Sequence, residues 1–341
     1  MYWTSNIFVA LLFLGALVLM IAVRRNRLWR EAIAELFKRR PFAITVLSIF
    51  LAVALMDSVT WVGGESASTG DQVAASKPRS LIDRIFVPEN FKEISYSAPL
   101  ADSGFYDKAA LKHPGRHILG TDILGNDVAY RTLKGVRVAL LIGGLTSLIV
   151  IPIALLFGVS AGFYGGRIDD AVFFVMSVLA SIPSLLLLIA LIIVLGTGTL
   201  QVCIALGVTG WVSFCRISRG ETLKLREADY VQAARALGVS DRRIIRKHIL
   251  PNLAHLVVIT FALLFTSLVL SETILSYLGV GLENSWGQMI DQARNELSRT
   301  PVIWWNIAGA SIALFTLVLA VNLIADAVRD ILDPRTLKER Q

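Results

Sequence analysis

The side chains in this sequence that could do chemistry are mainly histidines and serines, and their spacing favours neither a metal site nor a catalytic nucleophile. His113 and His117 are four residues apart, but Pro114 lies between them, so the segment is predicted to be a loop with solvated imidazoles. His248 and His255 flank a predicted helix start and lack the H-E-x-x-H spacing of a zinc site. Five serines lie in apolar segments without a histidine at comparable depth to serve as a base: Ser177, Ser181, Ser184, Ser267 and Ser271.

Nucleotide hydrolysis requires a loop that holds phosphate groups, and the sequence has no such loop. No glycine is followed by lysine anywhere in the chain, so the Walker A pattern is missing. We therefore expect no catalytic residue, no metal site and no cofactor bound by this chain.

The composition indicates a polytopic membrane protein. The 341 residues are 55% hydrophobic and only 17% charged, whereas about 25% of residues are charged in an average soluble domain. The apolar residues form runs of about 20, the length that crosses a bilayer core as a helix. This excludes a soluble enzyme, a collagen, a disordered tail and a disulfide scaffold. Cys203 and Cys215 fall on one predicted helix about 18 Å apart, too far for a disulfide.

Seven apolar segments predict an all-α fold, because a helix satisfies its own backbone inside lipid. Loops on one side of these segments are more than twice as dense in Lys and Arg as loops on the other side. The basic side is expected to be cytoplasmic, which puts the N-terminus outside and the C-terminus inside. The formal charge of +7 then reflects cytoplasmic loops rather than nucleic-acid binding. The segments are 6–23, 42–62, 138–163, 171–195, 199–215, 253–280 and 304–325.

The first segment is better explained as an uncleaved helix than as a signal peptide. It lacks a basic region before its apolar run, and Arg24 and Arg25 follow that run without a cleavage site. The stretch 28–40 fits either an interfacial helix on the cytoplasmic leaflet or a solvated linker.

A long polar insertion, 216–251, is predicted to be a helix–turn–helix outside the bilayer. Tyr230–Leu237 is rich in helix formers, and Gly238 follows where a left-handed C-terminal cap is expected. Ser240 and Asp241 then mark a second helix start.

This insertion resembles the EAA-x3-G-x9-I-x-L-P loop of ABC importer permeases. Gln232-Ala233-Ala234, Gly238 and Leu250-Pro251 match that pattern in spacing. Two positions depart from it, since Gln232 replaces a glutamate and His248 replaces an isoleucine. In that family the loop forms a helix that docks into a groove on a separate ATPase subunit.

Further motifs resemble the oligopeptide/dipeptide/nickel type of these permeases over about residues 112–335. Asn126 departs from the family's L-G-R-D pattern, where an arginine is usual. The matching motifs are His117-Ile-Leu-Gly-Thr-Asp122, Leu124-Gly-Asn-Asp127, Ala161-Gly-Phe-Tyr-Gly-Gly166 before Asp169, Ile182-Pro-Ser184, Ser285-Trp-Gly287 and Asp326-Ala-Val-Arg-Asp-Ile-Leu-Asp-Pro-Arg335.

The resemblance implies a six-helix permease core plus one extra N-terminal helix. Residues 1–41 would hold the extra helix and a basic interfacial segment, and 42–137 the first core helix and a long extracytoplasmic loop. Residues 138–335 would form the transmembrane domain with the coupling loop 216–251, and 336–341 a cytoplasmic tail. The implied ATPase-coupling residues are Asp229, Tyr230, Gln232, Ala233, Ala234, Ala236, Leu237, Gly238, Leu250 and Pro251.

The implied function is that of a permease subunit of an ATP-driven importer of peptides or similar small solutes in the cytoplasmic (inner) membrane of a bacterium or archaeon. The implied partners are a homologous permease forming a heterodimer, two ABC ATPase subunits that use the ATP and magnesium, an extracytoplasmic solute-binding protein and the lipid bilayer. No nucleic acid is expected. The alternatives are an importer of nickel or another non-peptide solute, and a secondary transporter driven by an ion gradient.

A secondary transporter would need ionisable groups near the midplane, and the chain offers chiefly Asp57 and Glu272. For the translocation path the sequence nominates Glu272 with Ser271, and Ser181 with Pro183, which is expected to kink the fourth segment. Glu272 either lines an outer gate or holds neighbouring helices by a hydrogen bond.

Overall fold

Long apolar helices make up most of the regular structure in the computed structural model, which describes residues 35–61, 79–86 and 92–332. Five of these helices can cross a membrane by length and composition, or six spans are present if one bent helix pair counts as a span. The predicted segment 6–23 and the tail 336–341 lie outside the described residues.

From α3 onward the elements follow one another along the chain with short connections. One π-helical segment, Ile245–Ile249, joins α8 to α9. Two short strands, β1 (Thr60–Trp61) and β2 (Arg79–Ser80), pair antiparallel. The helices are α1 (Pro41–Ser58), α2 (Leu81–Phe86), α3 (Val128–Tyr164), α4 (Gly166–Ser181), α5 (Ser184–Leu195), α6 (Thr199–Arg226), α7 (Asp229–Ala236), α8 (Asp241–Ile244), α9 (Leu250–Tyr277), α10 (Trp286–Leu297) and α11 (Trp305–Leu332).

The described chain divides into two compact units. The first contains residues 41–141 and 271–320. The second contains residues 35–40, 142–270 and 321–332 of the described ranges. Helices α3, α9 and α11 contribute residues to both units.

Several helices extend beyond the apolar segments that predicted them. Helix α3 begins at Val128 rather than at 138, because Asp127 caps it: its Oδ1 accepts the backbone N–H of Tyr130 at 3.0 Å. Helix α6 continues to Arg226 rather than ending at 215, so the first part of the predicted polar loop is helical. Apolarity marks the part of a helix that can lie in lipid, whereas the helix itself continues through polar turns.

The fourth predicted segment, 171–195, is not one kinked helix but two helices, α4 and α5, whose axes meet at 91°. Ile182 between them is extended, with φ −94° and ψ 131°, as expected for a residue that precedes a proline. Pro183 itself has no N–H to continue the ladder. Near the break, Ser181 Oγ donates a hydrogen bond to the backbone carbonyl of Val178 at 2.7 Å and so satisfies that carbonyl.

In the second unit, α3 and α6 pack closely through two glycines. A Cβ at Gly162 would lie 2.7 Å from the carbonyl oxygen of Arg219, and a Cβ at Gly158 would overlap Ser218 Oγ. Gly158, Gly162 and Gly166 recur every four residues, a spacing that predicts one packing face, but Gly166 is not part of that face. Gly166 has φ +53° and an open environment, so it serves the turn into α4 instead.

In the first unit, the predicted solvated state of His117 is wrong, because the side chain is 1% exposed. Its Nδ1 lies 2.9 Å from Asp127 Oδ2, and its Nε2 lies 3.4 Å from Glu93 Oε1. Glu93 also accepts backbone N–H bonds from Lys112 and His113. The imidazole therefore joins the start of α3 to the loop that precedes it.

Asp57, at the end of α1, is paired in the first unit. Lys134 Nζ lies 2.5 Å from its Oδ1, and Arg137 lies 3.7 Å from its Oδ2. Lys134 also contacts Asp83 at 2.6 Å. A carboxylate with two cationic neighbours is held as a structural ion pair.

Candidate functional site

The candidate site is the helix α7 and the turn that ends it. Asp229 lies in the first turn, where a negative charge favours the helix N-terminus, and alanines fill much of the remainder. Gly238 ends the segment with φ +76°. Its N–H donates to the carbonyl of Arg235 at 3.0 Å, and the N–H of Val239 donates to that of Ala234 at 3.1 Å. These two bonds form a Schellman motif, so the predicted left-handed cap at Gly238 is present.

The second helix start differs from the prediction. We name α7, α8 and the π segment, residues 229–249, the hairpin. Ser240 occupies the N-cap position of α8, but its hydroxyl makes no capping hydrogen bond within the hairpin. Its carbonyl oxygen accepts the N–H groups of Arg243 and Ile244 instead. This second helix is also not separate from the membrane span. It continues through the π segment into α9, whereas the sequence placed the start of that span near Leu253.

Leu250 and Pro251 lie directly after the π segment, and both are exposed. The N–H of Leu250 donates five residues back, to the carbonyl of Ile245. Because Pro251 has no N–H and its ring crowds the carbonyl four residues earlier, a widened turn lets the helix pass the proline. The Leu-Pro end of the motif thus connects the hairpin rigidly to α9.

An apolar anchor fixes α7 to the second unit. Val231 has no exposed surface. The hydrophobic cluster around Val231 comes from α3, α8, the π segment and α9, and its other buried members are Val159, Phe163, Ile244, Ile249 and Leu253. The sequence motif did not identify these residues. In the sequence, the indication of this cluster is that Val231 and the pair Ile244-Ile245 are apolar within a polar loop.

Polar contacts join α7 to α6, α3 and α9. Gln232 Nε2 donates to the carbonyl of Arg226, the last residue of α6, at 2.9 Å. The Arg235 guanidinium lies over the Phe163 ring at 5.2 Å, which ties α7 to α3. Asn252 of α9 donates to the Tyr230 hydroxyl at 3.2 Å. The bond from Gln232 to the Arg226 carbonyl needs the side-chain N–H of an amide. An ionised glutamate at this position would have no N–H to donate.

The opposite face of α7 is open and, apart from Asp229 in the first turn, mostly apolar. Leu237 is 84% exposed, and Tyr230 is 46% exposed. Ala233, Ala236 and Gly238 are exposed beside them, so small side chains alternate with two large ones. Such a face can enter a groove on another protein. We name Tyr230, Ala233, Ala236, Leu237 and Gly238 the α7 face.

Of the predicted coupling residues, the structure brings eight together on α7 and its cap, and it places Leu250 and Pro251 at the base of the hairpin. Asp229, Gln232 and Ala233 are exposed, and Ala234 is half-buried towards the hydrophobic cluster. A groove beside α7 has polar walls with charges of both signs. It is lined by Phe163, Tyr164, Arg226, Glu227, Gln232, Arg235 and Asp241.

The four residues nominated for the path fall into separate units. In the first unit, Glu272 is 2% exposed and accepts a hydrogen bond from Ser276 Oγ at 2.5 Å, next to Ser271. This hydrogen bond lies within α9 and joins no neighbouring helix, so both alternatives for Glu272 stay predictions. In the second unit, Ser181 and Pro183 lie exposed at the break between α4 and α5.

Among the described residues, no group of three or more His, Cys, Asp or Glu side chains has an arrangement that could hold a metal ion. The arrangement around α7 offers contact surface and hydrogen bonds rather than reactive groups.

Comparison with known proteins matches residues 154–338 to the family of binding-protein-dependent transport system inner membrane components. The dipeptide transport system permease protein DppC of Bacillus subtilis is 35% identical over 226 residues, covering 64% of this chain and 69% of that protein. The glutathione transport system permease protein GsiD of Pectobacterium atrosepticum is 34% identical over 233 residues, covering 67% of this chain and 76% of that protein.

Among solved structures, a chain of the MetNI methionine ABC transporter in an inward-facing conformation has a similar fold. The TM-score is 0.50 at 20% sequence identity, and the match covers 60% of this chain and 97% of that one. At this identity the similarity concerns the fold alone.

Proposed function

The chain belongs to the family of binding-protein-dependent transport system inner membrane components and is a permease subunit of an ABC importer, and from that premise we propose that the α7 face binds an ATPase subunit. The observation that carries this proposal is the division of α7 into two faces. Val231 anchors one face in the second unit, while Leu237 and Tyr230 project from the other. A helix so anchored can transmit displacement instead of sliding over its own domain.

Force applied to the α7 face would reach the spans through defined contacts. The Gln232 bond leads to the end of α6, and the contact of Arg235 with Phe163 leads to α3. The π segment leads directly into α9. ATP-driven closure of the partner would thus shift three spans together and bias a two-state transport cycle.

The proposed assembly contains a homologous permease, two ATPase subunits and an extracytoplasmic solute-binding protein. In it the N-terminus lies outside and the C-terminus inside, since the basic loops then face the cytoplasm. ATP and magnesium would be bound by the ATPase subunits. The chain would contribute the path and the coupling surface.

We propose short peptides as the cargo. Two relatives with similar coverage are named for dipeptide and for glutathione transport, and both cargoes contain peptide bonds and free carboxylates. Uptake of a labelled dipeptide into proteoliposomes, with the cognate binding protein and ATP, would support this assignment. Uptake of nickel in place of the dipeptide would favour the non-peptide alternative.

The docking proposal is tested by disulfide-independent cross-linking in the assembled complex. The chain has two cysteines, both buried. Cys203→Ala and Cys215→Ala remove them and give a background in which an introduced cysteine is the single thiol of this chain. Ala236→Cys, on the α7 face, should cross-link to the ATPase subunit through a short thiol–amine reagent. Ala109→Cys, which is exposed in the first unit, is the matched control and should not.

An intact complex in which Ala236→Cys never cross-links to an ATPase would refute the docking surface. A separate measurement addresses the rival mechanism. The chain reconstituted without ATPase should move no dipeptide under a proton or sodium gradient, whereas a secondary transporter would.

A further inference from the structure

Glu296, near the end of α10, is a buried carboxyl group that faces an amide. It is 1% exposed, and Asn306 in the first turn of α11 has no exposed surface. Asn306 Nδ2 donates to Glu296 Oε1 at 3.3 Å. Both residues belong to the first unit, and α10 is not among the candidate membrane spans.

One oxygen of each group remains without a donor. Glu296 Oε2 and Asn306 Oδ1 are buried and have no hydrogen-bond partner among the residues that the structure describes. If Glu296 is ionised, both atoms are acceptors, and a buried acceptor without a hydrogen bond destabilises the folded state. Two acceptors cannot satisfy each other without a proton between them.

We propose that Glu296 binds a proton on Oε2 and donates it to Asn306 Oδ1, so that the two side chains form a proton-binding site. Each group then donates one hydrogen bond and accepts another. The proton comes from the solvent, and no covalent bond other than the O–H bond forms or breaks. One proton therefore satisfies both unpartnered oxygens.

The neighbouring charges leave this proton in place. Arg131, the cation whose charge reaches Glu296, is already paired with Asp122 Oδ2 at 2.6 Å and with Gln292. The Tyr96 phenol faces the same carboxyl group, and Arg299 lies over the Tyr96 ring at 5.6 Å.

Burial raises the pKa of Glu296, and the charge of Asp122 acts in the same direction. The hydrogen bonds with Asn306 and Tyr96 and the charge of Arg131 oppose this rise in pKa only in part.

The protonated pair would hold a junction of three segments. Glu296 belongs to α10, Asn306 begins α11, and Tyr96 belongs to the loop before α3. The backbone carbonyl of Glu296 also accepts the N–H of Arg299 at 3.2 Å. Loss of the proton would set a carboxylate against an amide oxygen and loosen this junction. The site belongs to the first unit and the α7 face to the second, and the proposal does not depend on the function proposed for the α7 face.

Infrared difference spectroscopy of the full-length protein in nanodiscs tests the proposal. At neutral pH the wild-type protein should show the carbonyl stretch of a protonated carboxylic acid, and Glu296→Gln should lack that component. Glu221→Gln, which changes a partly exposed carboxylate paired with Lys224, is the control and should keep it. Identical spectra of wild-type protein and Glu296→Gln would overturn the proposal. An internal water serving both oxygens beside an ionised Glu296 would give that result.

A second measurement uses the pH dependence of the thermal midpoint. A carboxyl with a raised folded-state pKa contributes stability that is present below its unfolded pKa and is lost as pH rises through the folded pKa. Glutamine has the shape of the protonated acid and an N–H to donate, so Glu296→Gln should lose less stability than wild type on alkalinisation. Asn306→Leu removes the acceptor and should lower the midpoint at acidic pH. Equal pH slopes for wild type and Glu296→Gln would contradict the proposal.

Discussion

Arg219 of α6 binds both carboxylate oxygens of Asp169 in the first turn of α4, with Nε–Oδ1 at 2.5 Å and Nη2–Oδ2 at 2.6 Å. The carboxylate also lies near the N-terminus of α4, where negative charge is favourable. This bidentate contact spans fifty residues of sequence. It therefore fixes the start of the broken helix pair to the span that leads into α7.

Asp169→Asn should destabilise the second unit. The substitution keeps the shape but removes the charge-assisted fork, and partial exposure of both side chains limits the loss to about 1 kcal/mol. Thermal unfolding of the full chain in detergent measures it. Glu221→Gln, at an exposed i,i+3 pair with Lys224, should change the midpoint much less. Equal shifts for both variants would contradict a special role for the fork.

Gly162→Ala should destabilise the packing of α3 against α6 by about 1–3 kcal/mol, because the added methyl group meets backbone and Thr222 of the other helix. Gly220→Ala is the matched control, since a Cβ at that helical position has nothing within 4 Å. Denaturation of both variants under the same conditions checks the difference. Helix propensity alone predicts a gain in stability for Gly220→Ala, so a loss as large as that of Gly162→Ala would contradict close approach as the cause.

The sequence predicted those features that depend on local pattern. Apolar length gave the described spans, and the Ala-Ala-x3-Gly spacing gave both α7 and the left-handed cap at Gly238. The anchor at Val231 and the pairing of Glu296 with Asn306 depend on which surfaces meet in three dimensions, and residue type alone does not specify that. His117 shows the same limit. It lies in a loop, as the nearby Pro114 predicts, but its burial and its contacts with Asp127 and Glu93 depend on residues distant in sequence.

His117→Gln should weaken the first unit most at mildly acidic pH. Burial lowers the pKa of His117, but the hydrogen bonds and charges of Asp127 and Glu93 outweigh burial, so the net pKa is raised above 6.5. The stabilisation is therefore full below the unfolded pKa and is lost as pH rises through the folded pKa. The midpoint difference between wild type and His117→Gln should shrink as the pH rises above about 6.5, the ordinary pKa of histidine. A constant difference would show that the imidazole packs without its charge.

The proposed orientation places the loop that contains Ala109 outside and the hairpin that contains Ser240 inside. In the background without reactive cysteines, Ala109→Cys should react with an impermeant maleimide on intact cells, whereas Ser240→Cys should react only after permeabilisation. Both positions are exposed in the structure, so access across the membrane should decide the labelling. The reverse pattern would invert the topology.

Gly238→Val should uncouple ATP hydrolysis from transport while leaving the chain in the membrane. The position has φ +76° and no atom within 4 Å of an added Cβ, so crowding is not the difficulty. A β-branched residue resists the left-handed conformation, and the Schellman bonds that end α7 would break. Leu237 and Ala236 would then leave the orientation that the partner's groove requires.

Gly220→Val separates this conformational effect from the effect of side-chain size, because Gly220 has equal space for a Cβ without a positive φ. In proteoliposomes containing the complete importer, Gly238→Val should reduce peptide uptake per ATP hydrolysed at least about tenfold, which corresponds to about 1.4 kcal/mol of lost coupling. Gly220→Val should stay close to wild type. Both variants add the same atoms, so an equal uptake per ATP hydrolysed for the two would mean that the cap at Gly238 does not position the α7 face. Normal transport by Gly238→Val would contradict docking through this helix.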